Sequence, residues 1–258
     1  MRIAQSALVL SLALCVPVFL APALAAAQQG NLQPEAGQLL ALANQSRAAA
    51  GAGPLRWDPA LAAAARRHCL RMAAEGPIAH RYNDELDVSG RAAQAGAHFS
   101  LIEENVAIGP DPVTIHSEWM HSPGHRTNLL SPDVNRVGMA VVASRGVLYA
   151  VADYSRAVPV LTQDQVEAVI AGLIRDRGVA IIADSDNARA ACAEDRGYSG
   201  IAQPGFIMRW QGADLTQLPK PLLDRMASGR YRKAAVGSCP TGSVEGSFTA
   251  YRLAVMLY

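Results

Sequence analysis

The sequence has no excess of charge of either sign. It contains 23 basic and 22 acidic residues, so its formal net charge at pH 7 is +1. Binding to nucleic acid or to an acidic membrane surface draws much of its strength from clustered positive charge. The balanced charge therefore gives no reason to expect either partner, and we predict that the protein binds no nucleic acid.

Long apolar runs are also missing, except at the start of the chain. A short basic start, an apolar stretch over residues 7–24 and small residues at 23–27 are typical of a secretory signal peptide. We predict that residues 1–27 are a signal peptide, that no membrane span remains after cleavage, and that the protein is secreted or periplasmic. A retained membrane anchor is the alternative, but Pro17 and Pro22 interrupt the short apolar run.

Cysteine is scarce, and three of the four cysteines lie outside the predicted signal peptide. Export permits disulfide formation, and Cys192 and Cys239 are the natural pair because both lie in the C-terminal third. In the chain-entropy model, closing a loop of roughly fifty residues contributes ~4 kcal/mol. Cys69 is left over in an alanine-rich helical segment, where we expect an unpaired, buried residue.

Histidine is absent outside one window, because all six histidines lie between positions 68 and 125. Two of them, His80 and His125, follow the helix-ending pairs Gly76-Pro77 and Pro123-Gly124. Imidazole and carboxylate groups are what a divalent metal or a proton-transfer step would use, so we expect function to reside in this window. The other four histidines receive no functional role.

The sequence contains neither a glycine-rich phosphate loop nor the glycine pattern of a nucleophile elbow, and no catalytic triad is predicted.

Periodicity and end signals predict a mixed α+β protein. Helices are expected to begin at Pro34, at Asp58-Pro59, at Asp111-Pro112 and at the capping box Thr162–Gln165. The segment 136–154 is predicted to be a hairpin, whereas 103–108 could be a helical turn or an extended segment. Near the C-terminus we predict a helix over 186–196, a strand over 206–210, a helix over 221–228 and a strand pair over 231–239 and 248–258. Both halves of the chain are predicted to end in a pair of strands after their helices. This similarity is too weak to predict an internal repeat.

Several ordered motifs resemble the CAP superfamily, the cysteine-rich secretory and pathogenesis-related proteins also called SCP-domain proteins, in its short bacterial secreted form. Together they cover about residues 35–156, and their number and order make the resemblance specific. The motifs are Asn44–Arg47, Pro54–Asp58, Leu61–His68, Ile78–Arg81, Glu104–Ala107, Trp119–Asn128, and the hairpin with Val137-Gly138 and Asp153-Tyr154.

This resemblance implies an α/β/α sandwich over residues 35–156, in which a small, mainly antiparallel sheet lies between helices. We expect a boundary at 157–159, after which residues 160–258 form a C-terminal α+β module of unknown role. The predicted Cys192–Cys239 disulfide lies within this module. This module would pack on the first domain or supply a ligand groove. A tail that merely completes the first sheet is the alternative.

The resemblance also implies a cleft whose floor carries two histidines and two acids, which hold zinc or a similar divalent ion in some members. Carried over by motif, the histidines are His80 and His125 and the first acid is Glu104. The second acid stands three residues after the motif tryptophan, and here that residue is Ser122. Two histidines, one carboxylate and water could still hold a cation, although the lost carboxylate lowers the affinity for it. Glu118 lies on another face of the predicted helix and does not replace it.

Two functions remain open. In the first, the cleft binds a lipid, a glycan or another cell-envelope ligand, with or without a divalent metal. In the second, the protein is a metal-assisted hydrolase of peptide or cell-wall material, with the metal on His80 and His125 and with Glu104 as the candidate base. The replacement at Ser122 favours binding. A third interpretation is purely structural: the loop histidines bond backbone groups, Glu104 pairs with Arg126, and the arginines over 66–91 form a solvated face.

Overall fold

A computed structural model describes residues 32–194, 196–240 and 248–258, so the predicted signal peptide lies outside the described residues. None of the helices in these ranges combines the length and the apolar character needed to cross a membrane. The helices are α1 Pro34–Ala49, α2 Pro59–Glu75, α3 Val88–Gln94, α4 Pro112–His121, α5 Pro123–Leu130, α6 Gln163–Arg175, α7 Ser185–Ala193 and α8 Lys220–Ala227. The strands are β1 Arg56–Trp57, β2 Phe99–Gly109, β3 Arg136–Ser144, β4 Val147–Ala157, β5 Ala180–Ile181, β6 Phe206–Gly212, β7 Lys233–Cys239 and β8 Tyr251–Leu257.

The first half of the chain forms the expected α/β/α sandwich. Its sheet has the order β1-β3-β4-β2, with β1 parallel to β3 and the other pairs antiparallel. Helices α2 and α3 pack on one face, and α1, α4 and α5 pack on the other. Strand β2 lies at the edge of the sheet, so residues from both helical layers can meet around it.

An N-cap residue and a glycine contact position helix α2 on this sheet. Asp58 caps the helix, because its carboxylate accepts hydrogen bonds from the amides of Ala60 and Leu61. Gly138 of β3 lies directly below the first turn of the helix. A Cβ atom at this glycine would lie 2.0 Å from the backbone nitrogen of Ala62, so only glycine permits so close a contact between helix and strand.

The second half forms a sheet of its own, so the interpretation of this segment as a tail that completes the first sheet is wrong. The new sheet has the order β5-β7-β8-β6, with β5 parallel to β7 and the other pairs antiparallel. Helix α7 packs on one face, and α6 and α8 pack on the other. Gly237 of β7 lies against α7, where a Cβ atom would lie 2.2 Å from the backbone nitrogen of Arg189. The strand order, strand pairing and glycine contact repeat those of the first half, whereas the second half has three helices among the described residues and the first has five.

The disulfide and the free thiol are found as expected. Cys192 at the end of α7 is bonded to Cys239 at the end of β7. Cys69 is unpaired and fully buried, and burial raises the pKa of its thiol to about 12. The capping box at Thr162 and Gln165 is also present. The segment 103–108, left open by the sequence, is extended and belongs to β2.

Candidate functional site

His80 and Glu104 meet at the edge of the first sheet. His80 belongs to the loop between α2 and α3, and Glu104 is in the middle of β2. The Nδ1 atom of His80 lies 2.8 Å from Oε1 of Glu104. Since an ionised carboxylate only accepts hydrogen bonds, Nδ1 carries the proton and Nε2 is left for other partners. This hydrogen bond raises the pKa of His80. The side chain of His80 is 60% exposed, whereas that of Glu104 is 3% exposed.

The second oxygen of Glu104 is bonded by Arg91 of α3. Nη2 of Arg91 donates to Oε2 of Glu104, and Nη1 donates to the carbonyl oxygens of His80 at 3.1 Å and Leu86 at 3.0 Å. Arg91 is buried, so the interpretation of the arginines over 66–91 as a solvated face is wrong at this position. Arg91 rather than Arg126 is therefore the ion-pair partner of Glu104. Both carboxylate oxygens of Glu104 are engaged before any ligand binds.

His125 approaches His80 from the opposite side of β2. The two imidazole rings have centroids 6.5 Å apart and planes inclined by 55°. Asn105, adjacent to Glu104 on the strand, donates to the backbone oxygen of His125 at 2.9 Å, and Asn128 donates to the backbone oxygen of Glu104 at 3.1 Å. Burial lowers the pKa of His125, and the nearby His80 lowers it further. The ring of His125 makes no hydrogen bond to the described residues, so its nitrogens remain available.

Helix α5, which carries His125, was missed by the sequence analysis. The sequence predicts that α4 ends before Pro123, as it does, but no new helix was predicted to begin there. Pro123 takes the first helical position and Ser122 is extended, an arrangement that proline favours at a helix start. The far end of α5 is held by Arg47, which is buried and donates to the carbonyl oxygen of Leu129 at 2.8 Å.

Ser122, the fourth predicted cleft position, lies at the junction of α4 and α5. It is partly exposed, and its hydroxyl does not cap the amides of α5. No hydrogen bond joins it to His80, Glu104 or His125 within the described residues. Of the four predicted cleft positions, the structure therefore brings three into mutual proximity and leaves the serine hydroxyl uncommitted.

The donor set does not match a catalytic zinc site. Two imidazoles that share a zinc ion at ~2.0–2.1 Å have ring centroids roughly 5–6 Å apart, so His80 and His125 would need only a small approach. A third protein ligand is the difficulty, because both oxygens of Glu104 are already engaged and Ser122 replaces the second acid. Across the described ranges, no three histidine, cysteine or acidic side chains are grouped so that they could hold a metal ion.

The remaining histidines lie outside the cleft. His116 bonds Ser46 at 3.1 Å, His121 is exposed and bonds the backbone of its own helix, and His98 is exposed beside Thr249. His68 is fully buried below the loop that carries His80. Trp119 is a buried core residue.

The repeated fold of the second half lacks this site. In the first sheet, Gly138 and Glu104 both pair with Asp153 of the intervening strand. In the second sheet, Gly237 and Arg209 both pair with Ala254. Arg209 thus takes the register position of Glu104, and it donates to backbone oxygens of α7 and the loop that follows it. The sequence contains no histidine beyond position 125, so the second half cannot reproduce the cleft chemistry.

A cavity of about 980 Å³ lies where the two halves meet. Residues 156–161, helix α6, the segment after β6 and the start of β8 line it, and its wall is mostly apolar. Its apolar residues include Val158, Leu161, Val169, Leu173, Leu215 and Tyr251. That the C-terminal module packs on the first domain or supplies a ligand groove stays a prediction.

Comparison with known proteins identifies the first half. Residues 40–154 match the model of the cysteine-rich secretory protein family, CAP. Residues 40–154 are therefore a CAP domain. It is 28% identical over 114 residues to the uncharacterised protein YkwD of Bacillus subtilis, a match that covers 43% of this chain and 43% of that relative. The relative therefore extends well beyond the matched region.

Two solved structures each resemble about half of this chain. One is an extracellular protein with an SCP domain from Bacillus anthracis, at 25% identity and a TM-score of 0.44, covering 49% of this chain and 45% of that one. The other is an outer surface protein of Borrelia burgdorferi, at 17% identity and a TM-score of 0.46, covering 49% of this chain and 96% of that one.

Proposed function

We propose that this protein is exported and that its cleft binds a hydroxyl- and amide-rich ligand of the cell envelope, such as a peptidoglycan glycan with its peptide stem. The observation that carries the proposal is the pairing of His80 and His125 across the edge of β2. Each ring has a nitrogen without a partner among the described residues, and the two rings face each other at 6.5 Å. Such groups bind hydroxyls and amides.

Glu104 supports binding because it positions a histidine. Its hydrogen bond fixes the Nδ1–H tautomer of His80 and orients the ring, so Nε2 points away from the carboxylate towards the ligand. Arg91 donates to the second oxygen of Glu104 and so holds the carboxylate in place. A ligand would therefore meet a preorganised acceptor nitrogen, which reduces the entropy cost of binding.

The metal-assisted hydrolase is the second candidate, and the same contacts weigh against it. A general base must reach the attacking water. Glu104 is only 3% exposed, its two oxygens already accept hydrogen bonds from His80 and Arg91, and Ser122 supplies no second carboxylate. The arrangement therefore favours recognition over hydrolysis.

Isothermal titration calorimetry with the disaccharide-tetrapeptide unit of peptidoglycan tests the proposal. We expect measurable binding that falls at least about tenfold in both His80→Ala and His125→Ala, because each removes a ligand-facing polar group. His98→Ala is the matched control, since His98 is exposed and belongs to the distant start of β2. Absence of binding in the wild type would contradict the proposal, whereas cleavage of the unit that depends on His125 and on added zinc would favour the hydrolase.

A further inference from the structure

A chain of buried polar side chains lies beneath the loop that carries His80. Glu85 of this loop is bonded to His68 of α2 and lies 3.8 Å from Arg91. Arg91 is in turn bonded to Glu104. The four side chains are at most 11% exposed, so water screens their charges only weakly.

His68 has an acceptor at each ring nitrogen. Its Nδ1 lies 2.8 Å from a carboxylate oxygen of Glu85, and its Nε2 lies 2.7 Å from the backbone oxygen of Ala79. A carboxylate and a carbonyl can only accept, so both hydrogen bonds form only if both ring nitrogens carry protons. With Glu85 ionised, the geometry therefore requires the imidazolium form, which joins both sides of the His80 loop to α2.

Asp153 is buried at the other end of the network. It lies on β4 directly opposite Glu104, it is 0% exposed, and neither of its oxygens has a donor among the described residues. Two adjacent carboxylates form no hydrogen bond unless one is protonated, in which case it donates to the other. The charged groups around Asp153 are Glu104 of β2, Arg91 of α3 and Glu85 of the loop, while β3 faces it with Gly138. Burial, together with the charge of Glu104, raises the pKa of Asp153.

The charge balance of the network also places one proton on His68 and one on Asp153. Three carboxyl groups, those of Glu85, Glu104 and Asp153, share one permanent cation, Arg91. Without further protons the buried cluster would carry two uncompensated negative charges, which is strongly unfavourable away from water. One proton on His68 and one on Asp153 make the cluster neutral and give each of the two groups a hydrogen-bond partner.

We propose that this network holds two protons at neutral pH, one on His68 and one on Asp153, and that together they keep the His80 loop in its ligand-binding position. Asp153 then completes the hydrogen bonding of Glu104, and His68 ties Ala79 and Glu85 to α2. Both are positioning residues, because neither touches the cleft. Losing the proton of His68 removes one of its two bonds to the loop and frees His80 to move. Only this consequence for binding rests on the proposed function of the cleft.

Nitrogen-15 NMR of the histidine-labelled protein at pH 7.5 tests the first proton without any ligand. We expect both ring nitrogens of His68 to be protonated, with slowly exchanging N–H signals. A neutral His68 at this pH would overturn the proposal. Because no ligand is present, failure of the cleft to bind peptidoglycan leaves this result unaffected.

Asp153→Asn tests the second proton, since asparagine is neutral and its amide can donate to Glu104. If Asp153 is already protonated, the titration midpoint of His80 is unchanged by the substitution. If Asp153 is ionised, removing its negative charge lowers the His80 midpoint by about 1 pH unit or more, which would contradict the assignment.

The link to binding is tested by following the disaccharide-tetrapeptide affinity of the wild type as the pH is raised. We expect affinity to fall at least about fivefold over the pH range in which NMR shows His68 losing its proton. Unchanged affinity across that range would refute the positioning role of the network. It would leave the proposed function of the cleft intact.

Discussion

Replacing Arg91 by methionine perturbs the contact that organises the candidate site. Methionine fills a similar volume but has neither the charge nor the donors that bond Glu104 and the carbonyl of His80. The side chains of Arg91 and Glu104 are only 4% and 3% exposed, so the remaining carboxylate would be left buried without its cation. Breaking a buried ion pair in this way costs about 3–5 kcal/mol of unfolding free energy.

Urea unfolding at pH 7, followed by circular dichroism, measures this loss. Arg71→Met is the matched control, because Arg71 also pairs with two acids but at the surface, where the change should be far smaller. A loss no larger than that of the control would refute the account of the Arg91–Glu104 pair.

Three further predictions concern the framework. Gly138→Ala should lower stability by about 3 kcal/mol or more, because the new methyl would overlap α2, whereas Gly212→Ala, with nothing within 4 Å of its Cβ, should change it little. Removing the Cys192–Cys239 disulfide by double serine substitution should cost ~4 kcal/mol in the same urea assay. Asp153 keeps its proton to a higher pH when folded than when unfolded, so wild-type stability should fall by about 1.4 kcal/mol per pH unit between the two pKa values, a slope missing in Asp153→Asn. A Gly212 defect equal to that of Gly138, no cost of disulfide loss, or equal slopes would each contradict the corresponding argument.

Features that depend on neighbouring residues could be predicted from the sequence. The caps at Asp58 and Thr162 act within four residues of the helix start, so they are visible in the sequence itself. The family motifs selected His80, Glu104 and His125, and the structure brings these three side chains together.

Features that depend on distant contacts could not be predicted. Arg91 occurs among several arginines, and nothing in the sequence distinguishes the one that reaches Glu104 from those at the surface. Only Ser122 separates α4 from α5, and Pro123 signals the end of one helix and the start of the next equally well. The repeated fold of the second half is visible only in the strand pairing, because the residues at matching positions, such as Glu104 and Arg209, have different chemistry.

The central claim is that a ligand contacts His80 and His125 in one cleft. Its most direct test is nitrogen-15 NMR of the histidine-labelled protein, recorded with and without the disaccharide-tetrapeptide unit of peptidoglycan. We predict that the ring signals of His80 and His125 shift together with a single saturation curve, while that of His98 does not move. Saturable binding that shifts neither cleft histidine would contradict the account.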